Sequence, residues 1–325
     1  MKRLSLMLGL MLLCLLVSSC TKSASPLSAP ATMVPGVPAD LPAAEPPAEM
    51  NRQETAALYF RYMDEPYLAA EYRVITQAAN KPYEQALLTA LVSGPGSHDL
   101  VGLFPTGVQV VSTARQGRTL FVTLSKEIMN PYADELNATY STSAAILRRT
   151  LCMQSIVATV TENCSVDQVQ ILVQQDSAMT GSLRMEKRYF LTGESGLTEP
   201  LTRNEELLLT PHNTLNVILK LCRQQDWQRL YGYLVRVDEA SGVTRPGYSD
   251  FVAAMDALPA LTEYASSTGS VSLYGQEAVF SVDAVLRLND GTTAEKTCCM
   301  LRLQRENGLW RIAADQLTAW MEVSP

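Results

Sequence analysis

Apolar residues divide the chain into three stretches: Leu4 to Val17 is nearly uninterrupted, residues 21–50 have no periodicity, and from residue 53 strand and helix periods appear. In "TAALYFRYM" and "YLAAEYRVI", the positions of Leu58 and Phe60, then of Tyr72, Val74 and Ile75, predict two strands. Tyr83, Ala86, Leu87, Ala90 and Leu91 follow at helical spacing. Asn80 is the expected cap, Pro82 lies in the first turn and Gly94-Pro95 stops the helix. Val108 and Val110, then Leu120, Val122 and Leu124, alternate on either side of Gln116-Gly117, which predicts a hairpin. A second, more apolar helix spans roughly Thr142 to Val160, and Val169, Ile171 and Val173 make a further strand. This order predicts an α/β sandwich over residues 53–195, with helices on one face of a small sheet.

The stretch "TGESGLTEPLTRNEELLL" at 192–209 clusters glycine, proline and charge, and places a boundary near Asn204. Thr210-Pro211 then reads as an N-cap followed by proline at the first helical position. Leu215, Ile218, Leu219 and Cys222 share a helix face, "DWQRLYGYL" continues through Trp227, Leu230, Tyr231 and Leu234, and Tyr248, Phe251, Val252 and Met255 mark a short helix. Only strands are expected afterwards. Phe280 to Leu288 alternates, Asn289-Asp290-Gly291 turns, Thr297 to Leu303 alternates back, and Asn307-Gly308 turns into "LWRIA". Residues 204–325 therefore read as an α+β module, and the whole chain as α+β. No tandem copy of one module occurs in the other.

The first fifty residues are of another kind. Lys2 and Arg3 precede an apolar run shorter than the roughly 20 residues a span needs, and Ser18-Ser19 follow, so residues 1–19 have the layout of an export signal. "LVSSC" at 16–20 resembles a bacterial lipobox, which implies that cleavage leaves Cys20 as a diacylglyceryl-modified N-terminus. Residues 20–52, with seven prolines and no aromatic side chain, read as a disordered tether with a reach between about 30 and about 90 Å. Removing residues 1–19 takes away two cations and no acid, so the formal charge of -7 becomes -9. An acidic surface argues against nucleic acid as a partner.

Candidate chemistry is sparse. His98 lies in the Gly-rich "SGPGSHDL" and His212 in a helical first turn. Ser97 beside His98 makes no triad, "GESGL" lacks the last glycine of a nucleophile elbow, and no phosphate loop, dinucleotide fingerprint or zinc motif occurs. With Cys14 lost and Cys20 acylated, Cys152, Cys164, Cys222, Cys298 and Cys299 remain, an odd number. Cys222 and Cys299 read as small core residues, Cys298 and Cys299 point to opposite faces of a strand, and Cys152 with Cys164 is the one pair that would close a short loop. Glu71 and Arg73 share a strand face, either as an exposed ion pair of little value or as part of a partner surface. Asp283 reads as solvent-facing, and Tyr248 and Tyr274 as core or rim. No catalytic residue, cofactor or metal ligand is assigned.

Residues 55–175 resemble the sporulation and spore-germination (GerMN) domain through "LYF" at 58–60, Asp64 with "YLAAEYR" at 67–73, "LLTALVSGP" at 87–95, "LFPTGVQV" at 103–110 and "LFVTLS" at 120–125, in that order. Thr123 stands where the family often has Asp, and "STSAAILRRT" replaces its usual polar helix start. The resemblance implies an exported or lipid-anchored protein of a Gram-positive bacterium and a fold like those that build rings side by side. "GLWRIA" at 308–313 and "QQDWQRLYGYL" at 224–234 resemble the NTF2-like cone more loosely. The reading is a non-catalytic lipoprotein on the extracytoplasmic face of the cell membrane. Its partners would be the membrane through Cys20, and other envelope or sporulation proteins or further copies in an oligomer or ring. The alternative is a ligand-binding or enzymatic NTF2-like pocket on a lipoprotein adaptor.

Overall fold

The eleven-residue strand β1 (Arg52–Tyr62) pairs antiparallel with β2 (Leu68–Gln77) from Arg52↔Gln77 to Arg61↔Leu68. The computed structural model describes residues 52–136, 141–175, 181–238 and 242–323, and Glu49–Pro325 form one unit. The signal, Cys20 and the tether to residue 51 lie outside the described residues. Among the described residues, no helix is long and apolar enough to cross a membrane.

Helix α1 (Tyr83–Val92) follows β2 and buries Leu87, Leu88 and Leu91. Pro82, not Asn80, occupies the cap position, and no side chain caps the helix. β3 (Leu100–Val101) returns to the free edge of β1, giving the order β2-β1-β3. The expected hairpin is β4 (Val110–Gln116) with β5 (Thr119–Leu124), and α2 (Thr142–Asn163) carries the chain across so that β6 (Gln168–Gln174) lies parallel to β5. A parallel pair needs such a long crossover. β7 (Ser182–Arg184) and β8 (Leu201–Thr202) add antiparallel strands to β6. The strands thus form two sheets where one was expected. Both helices pack against strands of each sheet, which explains why α2 is buried on so much of its circumference.

Thr210 caps α3 (Pro211–Gln224) through its hydroxyl, which accepts from the Asn213 N–H at 3.2 Å. α4 (Trp227–Tyr231) and α5 (Tyr248–Asp256) follow. A five-stranded antiparallel sheet comes next: β9 (Ala260–Ser266), β10 (Ser270–Val271), β11 (Glu277–Arg287), β12 (Thr293–Glu306) and β13 (Leu309–Ile312). On β11, Ala278, Phe280, Val282, Ala284 and Leu286 are buried, so the period-two pattern does mark the inner face. The chain does not end in strands. Leu317, Trp320 and Met321 bury one side of a final helix, α6 (Ala314–Met321).

Candidate functional site

The boundary region joins the two sequence modules instead of separating them. Leu209 N–H donates to Leu68 O at 2.8 Å, and Leu68 and Leu208 form a parallel bridge, so β2 continues directly into the start of the second module. Beyond this seam lies a buried charged junction that no sequence motif announced.

Its first component is a loop held by β2. Arg73 donates to Gly94 O at 3.0 Å and Ala90 O at 3.3 Å, and Glu71 accepts from the N–H groups of Gly96 and Ser97 at 2.8 and 3.0 Å. The two side chains also pair with each other. They are therefore neither a free surface pair nor an open partner surface but a staple on the "GPGS" turn. Partial burial works to raise the Glu71 carboxyl. The bonds from Arg73, Ser97 and Gly96 outweigh it and hold the group below the ordinary 4.5.

This staple positions Asp99, which is only 7% exposed. Asp99 accepts from Arg236 at 2.7 and 2.9 Å and from Arg311 at 2.8 Å. Arg311, on β13, is 1% exposed and also donates to Gly232 O and Leu234 O at 3.1 and 3.2 Å. Glu306 stands 3.2 Å from Arg311 Nε and accepts from the Arg236 N–H at 3.1 Å. A second pair lies close by, with buried Glu65 accepting from Arg229 Nε and Nη2 at 2.7 and 2.6 Å. Asp99, Glu306 and Glu65 thus meet three arginines, with Asp226 a further 3.5 Å partner of Arg229 at the exposed margin, so each buried charge of the junction has a counter-charge.

Aromatic packing completes it. Tyr62 and Tyr233 rings lie 5.2 Å apart, and the Tyr62 hydroxyl donates to Gly232 O. Burial pushes that hydroxyl up to about 12, which keeps it a protonated donor and unsuited to act as a base. Gly308, in the β12–β13 turn, approaches β2 so closely that a Cβ would lie 2.6 Å from Ala70 O. At the rim, Arg305 stacks 4.2 Å from the Tyr72 ring beside a groove of about 600 Å³ lined by Val235, Val237, Tyr274 and Gln304.

The other candidate residues are scattered. Ser97 Oγ accepts from the Asp99 N–H at 3.3 Å, whereas exposed His98 takes no part in the junction. His212 contacts Asn216 at 3.0 Å and lies near the Phe280 ring. All five described cysteines are free. Cys152 and Cys164 are twelve residues apart on and just after one helix, a rise of about 18 Å that no disulfide spans. Burial pushes the Cys152 and Cys222 thiols up to about 12. Cys298 is exposed and Cys299 half-buried, so Cys299 is not a full core residue. Tyr274 is not a core residue: it is 84% exposed and stands at the rim, on the groove beside Arg305. Asp283 is solvent-facing as expected and accepts from the Cys298 N–H. A cleft of about 270 Å³ contains Asp238, Asp250, Asp315 and Phe251; Asp238 is engaged by Gln304 and faces Arg302 at 3.7 Å. Among the described residues, no group of three or more His, Cys, Asp or Glu is placed to hold a metal ion.

Residues 57–177 match the Germane family, described as sporulation and spore germination. This stretch is a Germane, or GerMN, domain. It contains Glu65 and Asp99, two of the three carboxylates of the junction, and the Glu71–Arg73 staple. Solved structures similar to the chain include the tandem GerMN domains of the sporulation protein GerM from Bacillus subtilis, at 15% identity and TM-score 0.32 over 51% of this chain and 49% of that one. The first GerMN domain of the same protein is similar at 16% identity and TM-score 0.33, over 46% of this chain and 98% of that one. This chain thus spans about half the length of the tandem protein. No curated protein matches it.

Proposed function

We propose that the protein is a non-catalytic component of the cell envelope in sporulation or spore germination, anchored on the extracytoplasmic face through a lipid on Cys20, where it brings other proteins together. The observation that carries this reading is the Germane match over residues 57–177, in a stretch whose buried Glu65 and Asp99 pair with Arg229 and Arg311 of the module that follows. The pairing of Glu65 with Arg229 and of Asp99 with Arg236 and Arg311 within the chain supports a structural use of these charges, tying the two modules together. Two modules so tied suit presentation of surfaces to partners. "LVSSC" and the proline-rich residues 20–52 support anchoring with reach.

Affinity capture of the intact protein from membranes of sporulating and vegetative cells tests the assembly role. Recovery of envelope proteins specific to sporulating cells is expected; recovery of none in either state refutes it. Mass spectrometry of the mature N-terminus tests the anchor, and an unmodified Cys20 or an intact Met1 refutes it.

A further inference from the structure

The second module covers the first part of the outer edge of β2 and then stops. On β1, the N–H groups of Ala57 and Tyr59 donate to Asn163 Oδ1 and Thr159 Oγ1 at 3.0 and 3.1 Å, so these residues turn their backbone groups away from β2. By strand alternation Gln53, Thr55 and Arg61 do the same, and the residues opposite all five, Leu68, Ala70, Tyr72, Val74 and Thr76, face the outer edge. Leu68 O is taken by the Leu209 N–H, and Gly308 abuts Ala70 O. Beyond these contacts the backbone N–H and C=O groups of Tyr72, Val74 and Thr76 have no partner among the described residues. That is five residues of open strand, about 17 Å. Tyr72 and Val74 are 47% and 59% exposed, and they share a face with exposed Thr76, opposite the Glu71–Arg73 staple. β2 holds neither lysine nor proline, the residues that commonly guard an open edge.

Arg305 stands where the covered part of the edge ends. Its guanidinium lies 4.2 Å from the Tyr72 ring and 5.6 Å from the Trp310 ring, and it donates to the Tyr72 hydroxyl. Arg236, Arg302 and Arg311 of the same module each pair with a carboxylate, whereas none among the described residues pairs with Arg305. Its Nε is buried without a hydrogen-bond partner, and burial lowers its pKa from the ordinary value. A guanidinium held flat between rings and lacking a counter-charge is a prepared receptor for a carboxylate.

We propose that β2 from Tyr72 to Thr76 takes up an extended segment of a partner protein as an added antiparallel strand, with an Asp or Glu at the C-terminal end of that segment paired to Arg305. The free backbone groups ask for a strand, and the uncompensated cation asks for an acid. The added strand continues the line along which Leu208 and Leu209 already meet β2. Val74 and Thr76 favour apolar or β-branched side chains at alternate positions of the segment. This proposal rests on the assembly reading and names one surface for it. Capture of sporulation-specific proteins as efficient with Val74→Pro as with the wild type would overturn the surface and leave the assembly reading standing.

Amide NMR spectra of the chain from Thr21 onward test it. The probe is the acetylated and amidated hexapeptide Ser-Val-Thr-Val-Thr-Asp, added up to about 5 mM, with an expected Kd of about 0.1 to 1 mM. The signals of Val74 and Thr76 are expected to shift, and the counterpart ending in Lys should bind at least tenfold more weakly. Arg305→Gln should remove the difference between the two peptides, and Val74→Pro should abolish binding of both. The proline removes an outward N–H and spares the ladder to β1. Met300→Lys, at a residue 60% exposed on β12, should change nothing. Unchanged melting temperatures verify that each variant folds. Unshifted Val74 and Thr76 signals, or equal binding of the Asp and Lys peptides by the wild type, would overturn the proposal. So would self-association of the free chain that Val74→Pro abolishes, since the edge would then belong to a second copy.

Discussion

Replacing Asp99 with Ala removes the acceptor shared by Arg236 and Arg311. Deleting one partner of a buried pair costs about 3–5 kcal/mol, because the other charge is left desolvated. Arg236 has a side chain 48% exposed and can turn to water, so its share is discounted. Arg311 cannot turn out, but it keeps two carbonyls and Glu306 at 3.2 Å. The expected cost is therefore at the low end, about 3 kcal/mol. Arg311→Met removes the buried cation and leaves Asp99 paired with Arg236, at a cost of about 2 kcal/mol. The double variant should cost about 3 kcal/mol, not the sum, a coupling of about 2 kcal/mol. Urea unfolding measures this with two probes: fluorescence of Trp227, Trp310 and Trp320, all in the second module, and far-ultraviolet circular dichroism of the whole chain. Coincident transitions are expected in the wild type if the junction makes one folding unit. A cost below about 1 kcal/mol for Asp99→Ala, or additivity within about 0.5 kcal/mol, would refute the role given to this cluster.

Gly308 and Gly94 both have positive φ, +86° and +91°, but only Gly308 meets backbone. Gly308→Ala should cost about 3 kcal/mol or more and Gly94→Ala only about 1 kcal/mol; equal melting-temperature losses would contradict the close approach to Ala70. Because the folded Glu71 value is depressed below 4.5, the unfolded chain takes up this proton first. Its stabilisation is complete above about pH 4.5 and lost as pH falls through the folded value. The stability gap between wild type and Glu71→Gln should accordingly shrink from pH 7 to pH 3, and a widening gap would reverse the assignment. In thiol labelling of the native protein at pH 8, Cys298 should react quickly and Cys152 and Cys222 only on unfolding. Fast labelling that survives Cys298→Ser and maps to Cys152 would refute this.

Local patterns carried most of the elements. The hairpin of β4 and β5 and the inner face of β11 follow from alternation within a few residues, and Thr210-Pro211 fixed a helix start. Sheet membership was not legible, because periodicity marks which face of a strand is buried and not which strand lies beside it. α6 had a helical signal in Leu317, Trp320 and Met321 that the preceding strands overshadowed. The junction was hidden for another reason: Asp99 and Arg311 are 212 residues apart, and each looks like an ordinary polar residue in its own context. One clue stood in "LWRI", where Arg311 interrupts a strand that is buried at all four positions.

The turn stapled by Glu71 and Arg73 has a bearing on how such modules can be exchanged. Since it delivers Asp99 to arginines contributed by the following module, a related Germane domain grafted onto residues 204–325 would need both the turn and its staple. A graft lacking them would leave Arg311 sealed in without its counter-charge, and the hybrid would fail at the graft point even if each half were sound.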